Sequence, residues 1–124
     1  ITLILLLSTN VFSEKVYFIN LQNGDVLKSP FLVQFGLSGK GVAPAGVEVP
    51  NTGHHHLLIN IDELDFKMPI PSSKQHLHFG MGQTETTLDL PAGKHKLQLI
   101  LGDKYHIPHN PPLASEVIEV TVIE

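Results

Sequence analysis

From residue 16 onward, apolar side chains recur at every second position in short runs, each closed by glycine, proline or asparagine. Phe31, Val33, Phe35 and Leu37 alternate in this way. So do Leu57, Ile59 and Ile61, then Leu88 and Leu90, then Leu97, Leu99 and Leu101, and last Ile118, Val120 and Val122. An extended chain sends successive side chains to opposite faces, so each run offers one apolar face to a core. Val16 to Ile19 reads as a further short strand, and Asn23, Gly24 and Asp25 form a strong turn signal. No segment keeps a helical period. The 124 residues suffice for one domain with one core. The spacing predicts an all-β fold: a single immunoglobulin-like antiparallel β-sandwich with long loops, spanning residues 14–124.

Two connections stand out by length. "GKGVAPAGVEVPNTG" and "DELDFKMPIPSSKQ" are rich in glycine, proline or polar residues, and each is long for a compact domain. Such segments need partners for their buried backbone groups.

Residues 1–13 differ from the rest. An apolar run too short to span a bilayer ends in Val11-Phe12-Ser13, a pattern that a signal peptidase accepts. We read residues 1–13 as the remnant of a secretory signal peptide. The expected product is periplasmic or secreted, with no membrane attachment after signal cleavage.

The composition narrows the chemistry. There is no cysteine, so any metal ligand here is nitrogen or oxygen. All eight basic residues are lysine, and the net charge is -4. Without arginine the chain lacks the bidentate donor that reads phosphate and guanine, which argues against a nucleic-acid partner.

The eight histidines are the outlier. Seven fall in three groups: His54, His55 and His56 in "GHHHLLIN", His76 and His78 in "QHLHFG", and His106 and His109 in "HIPHNPP". On a strand, His55 shares the face of Leu57 and Ile59, while His54 and His56 share the other. His76 and His78 form a second His-x-His pair. Two imidazoles at that spacing, roughly 6 to 7 Å along the strand, can converge on one ion. The sequence therefore offers His54, His56, His76, His78, His106 and His109 as ligands for copper or zinc. It predicts that members of all three groups meet at one pole of the sandwich. Unperturbed imidazoles would lose such an ion as pH falls through about 6.5.

The competing reading is an extracellular or periplasmic interaction module, with a structural histidine network and loops that bind a protein or glycan partner. A small metalloenzyme is the third. No His-Glu-x-x-His segment, no Gly-x-Ser-x-Gly elbow and no glycine-rich loop leading into a helix occurs, so no catalytic residues are assigned and no enzymatic activity is expected. Met68 and Met81 are too few for a copper(I) methionine stripe, although Met81 follows His78 closely.

His95 stands apart. In "LPAGKHKLQLILGD" it takes the place that a tyrosine holds at the corner before a core strand of many β-sandwiches. It is expected to be structural, with one ring N–H bonded to backbone.

The segments "GVAPAGVEVPNTGHHHLLIN", "QHLHFGMGQTETTLDLPAGKHKLQLILGD" and "HIPHNPPLASE" together resemble the bacterial exported family catalogued as domain of unknown function 4399. The resemblance implies a small, secreted, β-rich protein. It groups His54, His55, His56, His76, His78, His106 and His109 into one functional region and carries over no activity.

Overall fold

The computed structural model describes residues 2–4 and 13–124. Most of the segment read as a signal remnant, residues 1 and 5–12, lies outside the described residues. The rest forms two sheets. Strands β1 (Lys15–Phe18), β3 (Phe31–Ser38) and β7 (Glu85–Leu88) make a three-stranded sheet in the order β1-β3-β7. The larger sheet runs β2 (Val26–Lys28), β9 (Ile118–Ile123), β8 (Gly93–Gly102), β5 (Thr52–Ile59) and β4 (Gly41–Val42), with β6 (His76–His78) also paired to β5.

The period-two runs explain the core. Val33 and Phe35 of β3 face Leu57 and Ile59 of β5, Leu97, Leu99 and Leu101 of β8, and Val120 and Val122 of β9 in one continuous cluster. Leu32, between Phe31 and Val33, and Lys96, between His95 and Leu97, point to solvent. The sandwich is as expected, but its pairing is not wholly antiparallel. β2 runs parallel to β9, and β4 runs parallel to β5. Both are short edge pieces of two or three residues, too brief for hydrophobic alternation to announce.

The larger sheet is also buried on its outer face. Leu58, Ile100 and Ile70 form a second apolar cluster there, with Ile61, Leu64 and Ala114 packed against it. The long segment after β5 folds over this face. It is tied down where Ile70 N–H donates to the His106 carbonyl (2.7 Å) and Ile59 N–H to the Gln75 carbonyl (2.8 Å). Ile61 therefore belongs to this covering segment and not to the strand. Asn60 ends β5 by adopting a left-handed conformation, φ 58°, which asparagine tolerates better than most residues. Its side chain is then free to accept from Lys96 N–H at 2.8 Å.

Candidate metal centre

The site is built on the outer face of β5. His55 points inward and its ring lies 5.2 Å from that of Phe35, so His54 and His56 point outward, beside Leu58. The antiparallel register with β6 sets His78 opposite His56 and His76 opposite Leu58. The fourth ring comes from the loop after β8. His106 takes φ 65°, a strained conformation for a residue with a Cβ. Asp103 holds that loop: its carboxylate accepts from Tyr105 N–H (2.8 Å) and Ile107 N–H (3.0 Å), and its carbonyl from His106 N–H (2.9 Å). A salt bridge of 2.9 Å from Lys104 to Glu48 ties the same loop to the segment before β5.

Ligand atoms of His54, His56, His78 and His106 all lie within 4.8 Å of one another. His56 Nε2 is 2.9 Å from His54 Nε2, which is 3.0 Å from His106 Nδ1. The His78 ring centre is 5.0 Å from that of His54 and 4.6 Å from that of His106. Each of the three histidine groups thus contributes to one cluster. His54 and His56 are buried, His106 is half-buried and His78 is exposed, so the cluster opens to solvent on one side.

The three groups converge as the sequence predicts. They do so on the outer face of the larger sheet, toward the end where β5 begins and β8 and β6 end, with His54 opposite Gly102, the last residue of β8. Two expected ligands stay out. His76 lies on the right face but one residue pair too far along, and its Nδ1 contacts Ser73 Oγ at 2.8 Å in its own turn. His109 lies beyond Pro108, which pairs back to Gly102, and its charged neighbours are Lys40, Asp103 and Glu14.

Two glycines make room for the rings. A Cβ on Gly80 would collide with the imidazole of His78, and one on Gly102 would come 2.8 Å from His56 Nε2. Neither glycine has the left-handed backbone that would itself demand glycine. These glycines and Asp103 carry no signal in the sequence, because their roles depend on which rings they meet.

His95 supplies the contrast. It is buried, its Nδ1 accepts from the Asn60 amide at 3.1 Å, and its Nε2–H donates to the Pro91 carbonyl at 2.8 Å. Both ring nitrogens are satisfied by groups of the matching kind, as expected for a corner residue. The cluster is different. A neutral imidazole nitrogen has one in-plane valence position, either an N–H or a lone pair. His54 Nε2 has two imidazole nitrogens at hydrogen-bonding distance and can form one good hydrogen bond. Four nitrogens each 2.0 to 2.1 Å from a central ion would lie about 2.9 Å apart in a square and about 3.3 to 3.4 Å apart in a tetrahedron. The observed contacts of 2.9 and 3.0 Å are close to the first figure and a little short of the second.

Protonation is also suppressed. Burial, reinforced by the imidazoles of His78 and His106, lowers His54 to about 4, with Asp103 opposing. Burial, reinforced by His54 and His78, lowers His56 to about 3. His78 is lowered for the same reasons, burial first and then His106. The pair on β5 therefore keeps its lone pairs well below the pH of about 6.5 that an unperturbed imidazole would suggest.

Fold and site together define a small β-sandwich protein with a four-histidine cluster on the outer face of its larger sheet, a group compatible with metal binding. The chain belongs to the family described as domain of unknown function (DUF4399), whose model matches residues 33–123. No curated protein sequence matches it. Among solved structures the chain is similar to the endo-beta-1,4-mannanase from Thermotoga petrophila, with 16% sequence identity and a TM-score of 0.52. That similarity covers 90% of this chain and 20% of the mannanase chain, so this chain matches about a fifth of its length. At that identity the similarity shows the fold alone. Among the described residues no helix is long and apolar enough to cross a membrane.

Proposed function

We propose that this is an exported protein that binds a transition-metal ion, copper or zinc, through His54, His56, His78 and His106. One observation carries the reading: four imidazoles from three separate segments bring ring nitrogens within 4.8 Å of one another, and His54 Nε2 faces two of them while able to hydrogen-bond only one. Packing alone does not favour this. Buried imidazoles with unmatched nitrogens cost stability, on the order of 1 to 3 kcal/mol for each unsatisfied group. An ion would offset that cost at the buried pair, His54 and His56, while half-buried His106 and exposed His78 reach solvent. The donor set is neutral and all-nitrogen, which suits copper(II) and zinc(II) and does not suit magnesium or calcium.

The structural-network alternative draws on the contacts of His54 with His56 and His106, of which His54 Nε2 can satisfy one, and is fully met at His95, which lies outside the cluster. Export rests on the apolar run and the Val-x-Ser pattern in residues 1–13. Equilibrium dialysis of purified protein against copper(II) and zinc(II), followed by elemental analysis, tests the reading. One ion per chain is expected, and the His54→Ala, His56→Ala double variant should bind none. Uptake below a tenth of an equivalent would leave the histidines as a structural network.

A further inference from the structure

Four donors can surround an ion in a plane or at the corners of a tetrahedron, and the shape decides which ion sits there without distortion. The nitrogen contacts of 2.9 and 3.0 Å describe two of the six separations among the four rings. The ring centres give all six. His54 stands 4.6 Å from His56, 5.0 Å from His78 and 5.0 Å from His106. His56 stands 5.1 Å from His78 and 5.8 Å from His106, and His78 stands 4.6 Å from His106.

With metal–nitrogen bonds of about 2.0 to 2.1 Å and a ring centre about 1.15 Å behind its nitrogen, a tetrahedron sets all six separations at about 5.2 Å. A square sets four at about 4.5 Å and its two diagonals at about 6.4 Å, about 1.4 times as long. No two opposite separations stand out in that way here. The pair with the greatest values, His56 to His106 and His54 to His78, measures 5.8 and 5.0 Å. The other four lie between 4.6 and 5.1 Å. Four points so spaced do not share a plane.

The scaffold explains the shape. His54 and His56 stand on β5, which is buried from Gly53 to Ile59, and His78 stands on β6 paired beside it. The fourth ring comes from a loop that passes over the end of β8. There the His106 Cα lies 3.4 Å from where a Cβ on Gly102 would be. The Asp103 carboxylate holds that loop through Tyr105 N–H and Ile107 N–H. Flattening the four rings into a square would move either this loop or a strand covered on both sides.

Resting on the metal-binding reading, we propose that the cluster is a closed tetrahedral site for zinc(II), with all four positions taken by His54, His56, His78 and His106. Zinc(II) has a filled d shell, no geometric preference of its own, and sits in tetrahedral sites of four protein ligands. Copper(II) prefers a square or tetragonal set, which these rings do not offer. Copper(I) is selected by thiolate and thioether sulfur, and the four donors here are all imidazole. A closed set leaves no position for water or substrate, so the site holds its ion and does not activate a bound water.

The test loads the native protein with cobalt(II), whose visible absorption is intense in a tetrahedral field and weak in an octahedral one. One equivalent should give the intense bands. Zinc(II) should abolish them by displacement, and excess azide, which binds any open position, should leave them unchanged. Copper(II) forced into the same site should show an electron paramagnetic resonance spectrum with a parallel hyperfine splitting well below that of square copper–imidazole complexes. Weak octahedral cobalt(II) bands, bands that azide alters, or a square-type copper(II) spectrum each overturn the proposal. Failure of the four-histidine reading has a different signature: dialysis then shows no uptake of zinc(II), copper(II) or cobalt(II).

Discussion

His56 and Gly102 meet on the outer face of the larger sheet at a separation that leaves no room for a methyl group. A Cβ on Gly102 would lie 2.8 Å from Nε2 of His56 and 3.1 Å from Cδ2. In Gly102→Ala the ring must move, and the cluster loses its convergence. Metal affinity should fall roughly 10- to 100-fold, the range seen when a group that orients a ligand is changed. Overpacking should also cost about 1 to 3 kcal/mol of stability. Calorimetric metal titration beside chemical denaturation measures both. An unchanged affinity would mean that the glycine does not serve the ring.

His76 and His78 differ by two positions and should differ sharply in effect. His78→Ala removes a member of the cluster, and its loss of affinity should exceed the roughly 10- to 100-fold cost of losing a supporting group. His76→Ala removes only the Ser73 contact and should leave stoichiometry and affinity as they were. Equal losses in the two variants, measured by dialysis, would falsify the assignment.

Acid should destabilise the metal-free protein well above the pH at which its buried imidazoles finally take up protons. Burial lowers His55 to about 4, and His54 and His56 to about 4 and about 3. In the unfolded chain each returns to about 6.5. Between those limits the unfolded state binds more protons, so unfolding becomes easier as pH falls. The contribution of neutral burial is fully present above 6.5 and is lost as pH drops toward 4. Each histidine accounts for up to about 1.4 kcal/mol per pH unit in that window. Denaturation midpoints at pH 7, 6 and 5 should fall in that order. Carbon shifts of the His54 and His56 rings should stay flat from pH 7.5 to 5, and an inflection near 6.5 at either ring would contradict this.

His95→Ala should lower stability by about 1 to 3 kcal/mol, because the Pro91 carbonyl and the Asn60 amide lose their buried partner. Metal stoichiometry should not change, because His95 lies on the core face, opposite the cluster. Loss of metal with stability retained would reverse the assignment.

Much of this was legible because period two is a strict rule. Phe31, Val33 and Phe35, and likewise Leu97, Leu99 and Leu101, announce a face, and the two His-x-His pairs announce another. Which member of the His76/His78 pair reaches the cluster was not legible. That depends on the β5–β6 register, which sets His78 and not His76 opposite His56. Spacing within one strand carries no information about its neighbour. The burial of the outer face did leave a trace. Leu57, Leu58 and Ile59, and again Leu99, Ile100 and Leu101, are apolar at both parities, as a strand covered on two sides requires. Asp103 and the glycines under the rings act through contacts that only the folded chain creates.

Strand β5 is covered on both sides from Gly53 to Ile59, and this weakens its own power to choose an alignment. A one-residue slip in a sheet exchanges the two faces of a strand. In most strands that exchange drives apolar groups into water and is rejected at once. Here it would trade Leu57 and Ile59 for Leu58, and His55 for His54 and His56, a swap of like for like. The hydrophobic pattern thus discriminates poorly between the correct pairing with β8 and its nearest error. Only the correct one places two imidazoles outward, facing the rings of His78 and His106. An ion bound there would act as a proofreader of strand alignment, rewarding a register that greasy contacts alone leave almost degenerate.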